Sequence, residues 1–201
     1  MFYEPQNGHG LPHNPFNALI TPRPIGWIST RSAEGIDNLA PYSFFNGVAY
    51  SPPQVMFATT SRKDDQKIGK DSLANIIATK EFCVNIVAAD DIDRMNATSD
   101  TFPKHISEFD AANIERAPCE RINVARVANA PVNLECKLSQ VVQIEGADNH
   151  VVFGEVIAVH MRDDCIVNGR FDISTFTPLA RLGYRDYTSV EHIFSVTRPD
   201  D

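Results

Sequence analysis

The residues best suited to chemistry lie between Thr59 and Asn75, where Thr60, Ser61 and Ser72 supply hydroxyls and Arg62, Lys63, Lys67 and Lys70 supply positive charge. The segment runs into the start of a helix. Unpaired backbone N–H groups there, at the positive end of the helix dipole, favour a phosphate. Lys70 or Arg62 would supply the charge and the hydroxyls the rest of the cradle. Asp64, Asp65 and Asp71 offset three of the four cations, so a solvated loop is the other reading of this segment.

Three further stretches compete for a role. In Asn38-Leu39-Ala40-Pro41-Tyr42-Ser43-Phe44-Phe45-Asn46 a mid-strand proline implies a bulge, which re-aims backbone and often borders a ligand. The bland alternative is an aromatic core strand with an edge proline. Arg181, inside Pro178-Leu179-Ala180-Arg181-Leu182-Gly183-Tyr184, is either a snorkelling surface cation or a buried one with a partner. His160 ends a strand in phase with Val152, Gly154, Val156 and Ala158, a small-residue face with room for something flat. A satisfied core histidine is the commoner explanation of such a position.

Signatures of self-sufficient catalysis are missing. The sequence has no Gly-x-Ser-x-Gly elbow, no His-Glu-x-x-His, no phosphate loop ending in Gly-Lys-Ser/Thr and no dinucleotide glycine fingerprint. An enzyme built this way leaves the reactive chemistry to a cofactor. Lys and Arg total 18 against 26 Asp and Glu, a net charge of −8, which argues against nucleic acid because phosphate neutralisation needs a basic face. Cys83, Cys119, Cys136 and Cys165 lie far apart, without metal-ligand or redox spacing, and read as thiols in a reducing cytoplasm. No run of about 18 apolar residues occurs and the first ten residues are polar, so neither a membrane span nor export is expected.

The elements that must position these residues are mostly strands. Ile25 to Arg31, Ile36 to Phe45, Val55 to Thr59 and Phe82 to Val87 are short runs bounded by turn residues and prolines. Val132, Leu134, Cys136, Leu138, Val142 and Ile144 share one phase, while Asn133, Glu135, Lys137, Ser139 and Gln143 share the other, predicting a buried face and a wet one. A turn at residues 145–149 leads back through Val151 to Met161, apolar on both faces and so expected to be covered on both. Asp71-Ser72 offers an N-cap for a helix to Lys80, with shorter helices over Ala88 to Ala97 and His105 to Phe109. The sequence predicts a mainly β, antiparallel barrel of one domain, residues 1–201, entered by an irregular arm of about twenty residues.

Together these segments resemble the flavin reductase-like proteins with an FMN-binding split barrel. The resemblance rests on Pro22 to Thr30, on Asn38 to Asn46 followed by Ser51-Pro52-Pro53, and on Lys70-Asp71-Ser72-Leu73-Ala74-Asn75-Ile76. Gly154-Glu155-Val156 with His160, Gly169-Arg170 through Asp172 to Pro178, Arg181-Leu182-Gly183, Tyr187 and the Phe194 to Pro199 tail complete it. One departure is Tyr184, where many relatives carry glycine.

The resemblance implies a six-stranded antiparallel Greek-key barrel, a homodimer, and FMN near the subunit interface. Carried over, Thr60, Ser61, Arg62, Lys70, Asp71, Ser72 and Asn75 would surround the phosphate and ribityl chain. Ser29, Thr30, Asn38, Ala40, Tyr42 and Ser43 would line the isoalloxazine, with His160 as catalytic residue and Arg181 approaching the ring or phosphate. The activity implied is an FMN-dependent oxidoreductase taking hydride from NADH or NADPH. A flavoredoxin-like electron carrier is the alternative. A partner monooxygenase is one destination for the electrons, and no metal is implied.

Overall fold

Short apolar and β-branched runs between turn residues form seven strands of one antiparallel sheet in the computed structural model, which describes residues 1–199. They are β1 (Gly26–Arg31), β2 (Asp37–Tyr42), β3 (Phe45–Tyr50), β4 (Pro53–Thr59), β5 (Glu81–Ile86), β6 (Val132–Ile144) and β7 (Asn149–Met161). Their order across the sheet is β2-β1-β5-β6-β7-β4-β3. The two outermost strands, β2 and β3, are consecutive in the chain and joined only by Ser43 and Phe44, so the sheet must curl until its edges meet. This is a mainly β split barrel with one strand more than the six expected.

Ile28, Tyr42, Phe45, Phe57, Phe82, Val84, Cys136 and Val152 fill the barrel, closed at one end by Leu73 and Ile76 of helix α2 (Asp71–Thr79). Helix α1 (Phe16–Leu19) belongs to the N-terminal arm, and α3 (Ile92–Ala97) and α4 (Glu108–Ala111) cover the outside of β1. There Trp27, Met95, Phe109 and Leu179 make a second core, with Trp27 Nε1 donating to Thr98 Oγ1 at 2.9 Å. With cores on both its faces, β1 has no amphipathic alternation. None of the helices among the described residues is long and apolar enough to cross a membrane.

The long hairpin departs from expectation at two places. Asn133 and Glu135, on the face expected to be wet, are buried because residues 119–127 fold over them. Conversely Ile157, Val159 and Met161, on a face expected to be covered, are exposed within the single chain.

Candidate functional site

Where β2 crosses the start of α2, a cavity of about 760 Å³ opens. Its walls come from β2 and the Ser43–Phe44 link, from the loop between β4 and α2, from residues 98–102, and from Arg181, Leu182 and Tyr184. Asn14 and Asn17 of the arm add a further side. The arm can lie there because residue 183 is glycine: a Cβ would sit 2.3 Å from Ala18 Cβ.

Helix α2 presents its N-terminus to this cavity. Its N-cap is Lys70 rather than Asp71, and no side chain caps the helix, so its first N–H groups remain open to a ligand. Lys70 is exposed, lines the cavity and makes no ion pair among the described residues. Asp71 is already engaged: its carboxylate receives Lys63 Nζ at 2.6 Å and Gln66 Nε2. Lys63 also donates to the Phe102 carbonyl at 2.6 Å, tying the 98–102 loop to the helix start. The preceding loop closes through Lys63 N–H to the Gly69 carbonyl. Gly69 has φ +56, and a Cβ there would meet Leu73 Cδ2 at 2.6 Å, so only glycine serves.

Below the helix start runs a buried polar network. Ser72 Oγ donates to Asn38 Oδ1 at 2.8 Å, Thr30 Oγ1 lies 3.3 Å from the same oxygen, and Asn75 Nδ2 donates to Thr30 Oγ1 at 3.0 Å. Glu108 of α4 accepts from Asn38 Nδ2 at 2.8 Å and from the Leu39 N–H at 2.9 Å. Burial raises the Glu108 pKa despite those two donors. Tyr42 Oη is buried beside the Ser72 and Thr59 hydroxyls, and burial pushes its pKa up to about 12, so the phenol keeps its proton at neutral pH.

Of the residues expected at a site, Asn38, Ala40, Tyr42, Ser43, Thr60, Ser61, Arg62, Lys70, Asp71, Ser72 and Arg181 all line this one cavity. Arg62 also reaches Asp148 at 3.7 Å. Thr30 and Asn75 stand behind the wall in the polar network, and Ser29 is fully buried, accepting from Asn85 Nδ2 at 3.3 Å. His160 is not brought to the cavity within this chain. Its Nε2 lies 2.5 Å from Glu135 Oε1, the carboxylate that also accepts the Glu120 and Arg121 N–H groups at 2.7 Å each. The room left by the small-residue face of β7 is taken by the protein's own Phe82, whose Cζ would lie 2.3 Å from a Cβ on Gly154.

Arg23, Glu108 and the 98–102 loop line the cavity without having been expected there. Arg23 lies between two prolines in the Pro22 to Thr30 stretch, and Glu108 in the short helix expected over His105 to Phe109. What marks both as candidates is a charge that is buried, which the structure shows and the sequence does not.

Residues 18–178 match the flavin reductase like domain family. Among solved structures, the 2-nitrobenzoate 2-nitroreductase of Pseudomonas fluorescens is 31% identical, with TM-score 0.81 over 92% of this chain and 88% of that one. Component B of the nitrilotriacetate monooxygenase of Bacillus cereus is 27% identical, with TM-score 0.87 over 98% of both chains. A split barrel domain protein from Shewanella frigidimarina shares the fold at 19% identity, with TM-score 0.82 over 91% of this chain and 89% of that one. The barrel, the cavity against α2 and a match across four-fifths of the chain agree: this chain belongs to the flavin reductase like domain family.

Proposed function

We propose that the cavity holds FMN and that the protein is an FMN-dependent reductase drawing hydride from NADH or NADPH. The observation that carries this reading is the uncapped N-terminus of α2 beside Lys70, which has no ion-pair partner among the described residues, within a cavity large enough for a flavin nucleotide. The residues present fit that group. Open helix N–H groups, Lys70, Arg62 and the Thr60 and Ser61 hydroxyls suit a phosphate. The stretch Ala40 to Ser43, at the end of β2, offers backbone polar groups along the cavity wall.

FMN, when bound, supplies the hydride and electron chemistry. The chain's own residues bind and orient. Lys70 and the first turn of α2 hold the dianion, and the Asn38–Ser72–Glu108 network keeps β2 at a fixed distance from that turn. The Lys63 bonds to Asp71 and Phe102 hold the loop that covers the cavity's side against water.

The proposed functional unit is a homodimer. Phe2, Tyr50, Phe194 and Val196 are each at least 77% exposed and Val159 and Met161 about half exposed, apolar groups that a two-fold partner would cover.

Anaerobic stopped-flow mixing of FMN-loaded protein with NADH, and separately NADPH, tests the activity. Rapid loss of the oxidised flavin absorbance with one or both is the expected result. An unchanged spectrum with both would make the protein a flavin carrier instead.

A further inference from the structure

The arm-side wall of the cavity carries positive charge that FMN phosphate at α2 would leave unanswered. Arg23 lines the cavity and is 7% exposed. All its hydrogen bonds go to neutral oxygens: the carbonyls of Asn17, Ile20 at 2.6 Å and Leu182 at 2.8 Å, and the Ser43 hydroxyl at 3.4 Å. Arg181, also on the cavity wall, donates to Tyr187 Oη and to the Tyr184 carbonyl, which are neutral as well. A guanidinium has five N–H donors, so Arg181 keeps its Nε–H and one N–H on each terminal nitrogen.

The two cations feel each other. Burial and then the neighbouring Arg181 lower the Arg23 pKa, and neither arginine has a carboxylate partner among the described residues. Two guanidinium groups at one wall, one of them buried, are costly without a counter-charge. A bound anion supplies it, and the planar fork of Arg181 matches a carboxylate.

Aromatic rings stand beside both cations: the Arg181 guanidinium lies 4.5 Å from the centre of the Tyr187 ring, which leaves its N–H edge for a ligand. Phe44, a cavity residue, lies with its ring 5.8 Å from the Arg23 guanidinium. Tyr184 lines the cavity at its rim, 53% exposed, with His13 of the arm edge-on at 5.9 Å and 64°. Tyr184 sits at φ +54, a left-handed conformation that bulky residues seldom adopt. The bond from Arg181 to the Tyr184 carbonyl fixes that turn, so the ring is held at the rim against its own backbone preference.

We propose that this wall binds a planar aromatic carboxylate, with its acidic group on Arg181, Arg23 as the buried charge behind it, and its ring against Tyr184. Arg181 then serves this second ligand and not the cofactor. The site rests on the FMN reading for what lies beside the ligand, but its anchors are the chain's own.

Isothermal titration calorimetry with benzoate, benzamide and cyclohexanecarboxylate tests it, on FMN-saturated and FMN-free protein. Benzoate is expected to bind saturably and about tenfold or more tighter than benzamide, the scale of a charge-assisted hydrogen bond. Arg181→Gln removes that preference and Arg181→Lys restores part of it. Tyr184→Leu, which keeps the backbone problem but loses the ring, weakens benzoate about three- to tenfold and leaves cyclohexanecarboxylate unchanged. No saturable benzoate binding to protein that holds FMN, or a preference over benzamide that survives Arg181→Gln, would overturn the proposal. Arg181-dependent benzoate binding by protein that takes up no FMN would sustain it while removing the FMN reading.

Discussion

Glu108 is the side chain on which the floor of the cavity depends. Its two oxygens hold the Asn38 amide and the Leu39 N–H, and through Asn38 they set the position of Ser72. Burial raises its pKa above the ordinary 4.5, so folding favours the protonated carboxyl. The stability from that preference is fully present below the unfolded value and is lost as pH rises through the raised folded value. Denaturant unfolding across a pH series checks this. Wild-type stability should carry a falling component from about pH 4.5 upward that Glu108→Gln lacks, and parallel profiles for the two proteins would refute it. The pairing of Glu108 with Asn38 was not legible in sequence, since 70 residues separate them. Lys70 and Ser72 were singled out by a local pattern, hydroxyls and cations running into a helix start, and Asn38 by the proline-interrupted strand it opens; the structure brings all three to one cavity.

At the scale of elements, the β6–β7 hairpin reads clearly in its periodicity but not in its surroundings. Asn133 and Glu135 alternate as wet positions should, yet residues 119–127 cover them. Glu135 becomes a buried latch for the Glu120 and Arg121 N–H groups. Burial pushes the Glu135 pKa up, but the Glu120 N–H, His160 and the Arg121 N–H together outweigh it and hold the carboxyl below its usual range. The stability this lends is present above the unfolded value and is lost as pH falls through the lowered folded one. His160 therefore does structural work in this chain. His160→Ala should cost about 1–3 kcal/mol, the scale of leaving a buried acceptor short of a partner. Its affinity for FMN should match wild type. Thermal melts and an FMN titration separate the cases: unchanged stability with lost FMN affinity would return His160 to the cofactor. Helix α2 was legible to within a residue, because Leu73, Ile76 and Ile77 share a face; its cap moved to Lys70 because Asp71 turns to Lys63.

For the whole molecule, the split barrel follows from the strand runs and prolines that interrupt them, while its seventh strand follows from the break at Ser43–Phe44. That break divides what the sequence presents as one continuous strand. Trp27 packs under α3 and α4, while Phe2, Tyr50, Phe194 and Val196 are among the apolar groups left uncovered. Sedimentation velocity at low micromolar concentration should find a species of twice the 22.3 kDa chain, with FMN raising its melting temperature. A single 22.3 kDa species that binds FMN stoichiometrically would remove the dimer from the account.

The central claim is that an FMN phosphate rests on the N-terminus of α2 beside Lys70. Fluorescence titration of FMN and of riboflavin, with wild type and Lys70→Glu, tests it most directly. Wild type should quench FMN with micromolar or tighter affinity. Lys70→Glu should weaken FMN by more than about 1.5–3 kcal/mol, the range for losing a hydrogen bond to a charged group, because reversal adds repulsion. Riboflavin, which lacks the dianion, should lose far less. No quenching of FMN at tens of micromolar wild-type protein, or equal losses for FMN and riboflavin in Lys70→Glu, would contradict the account.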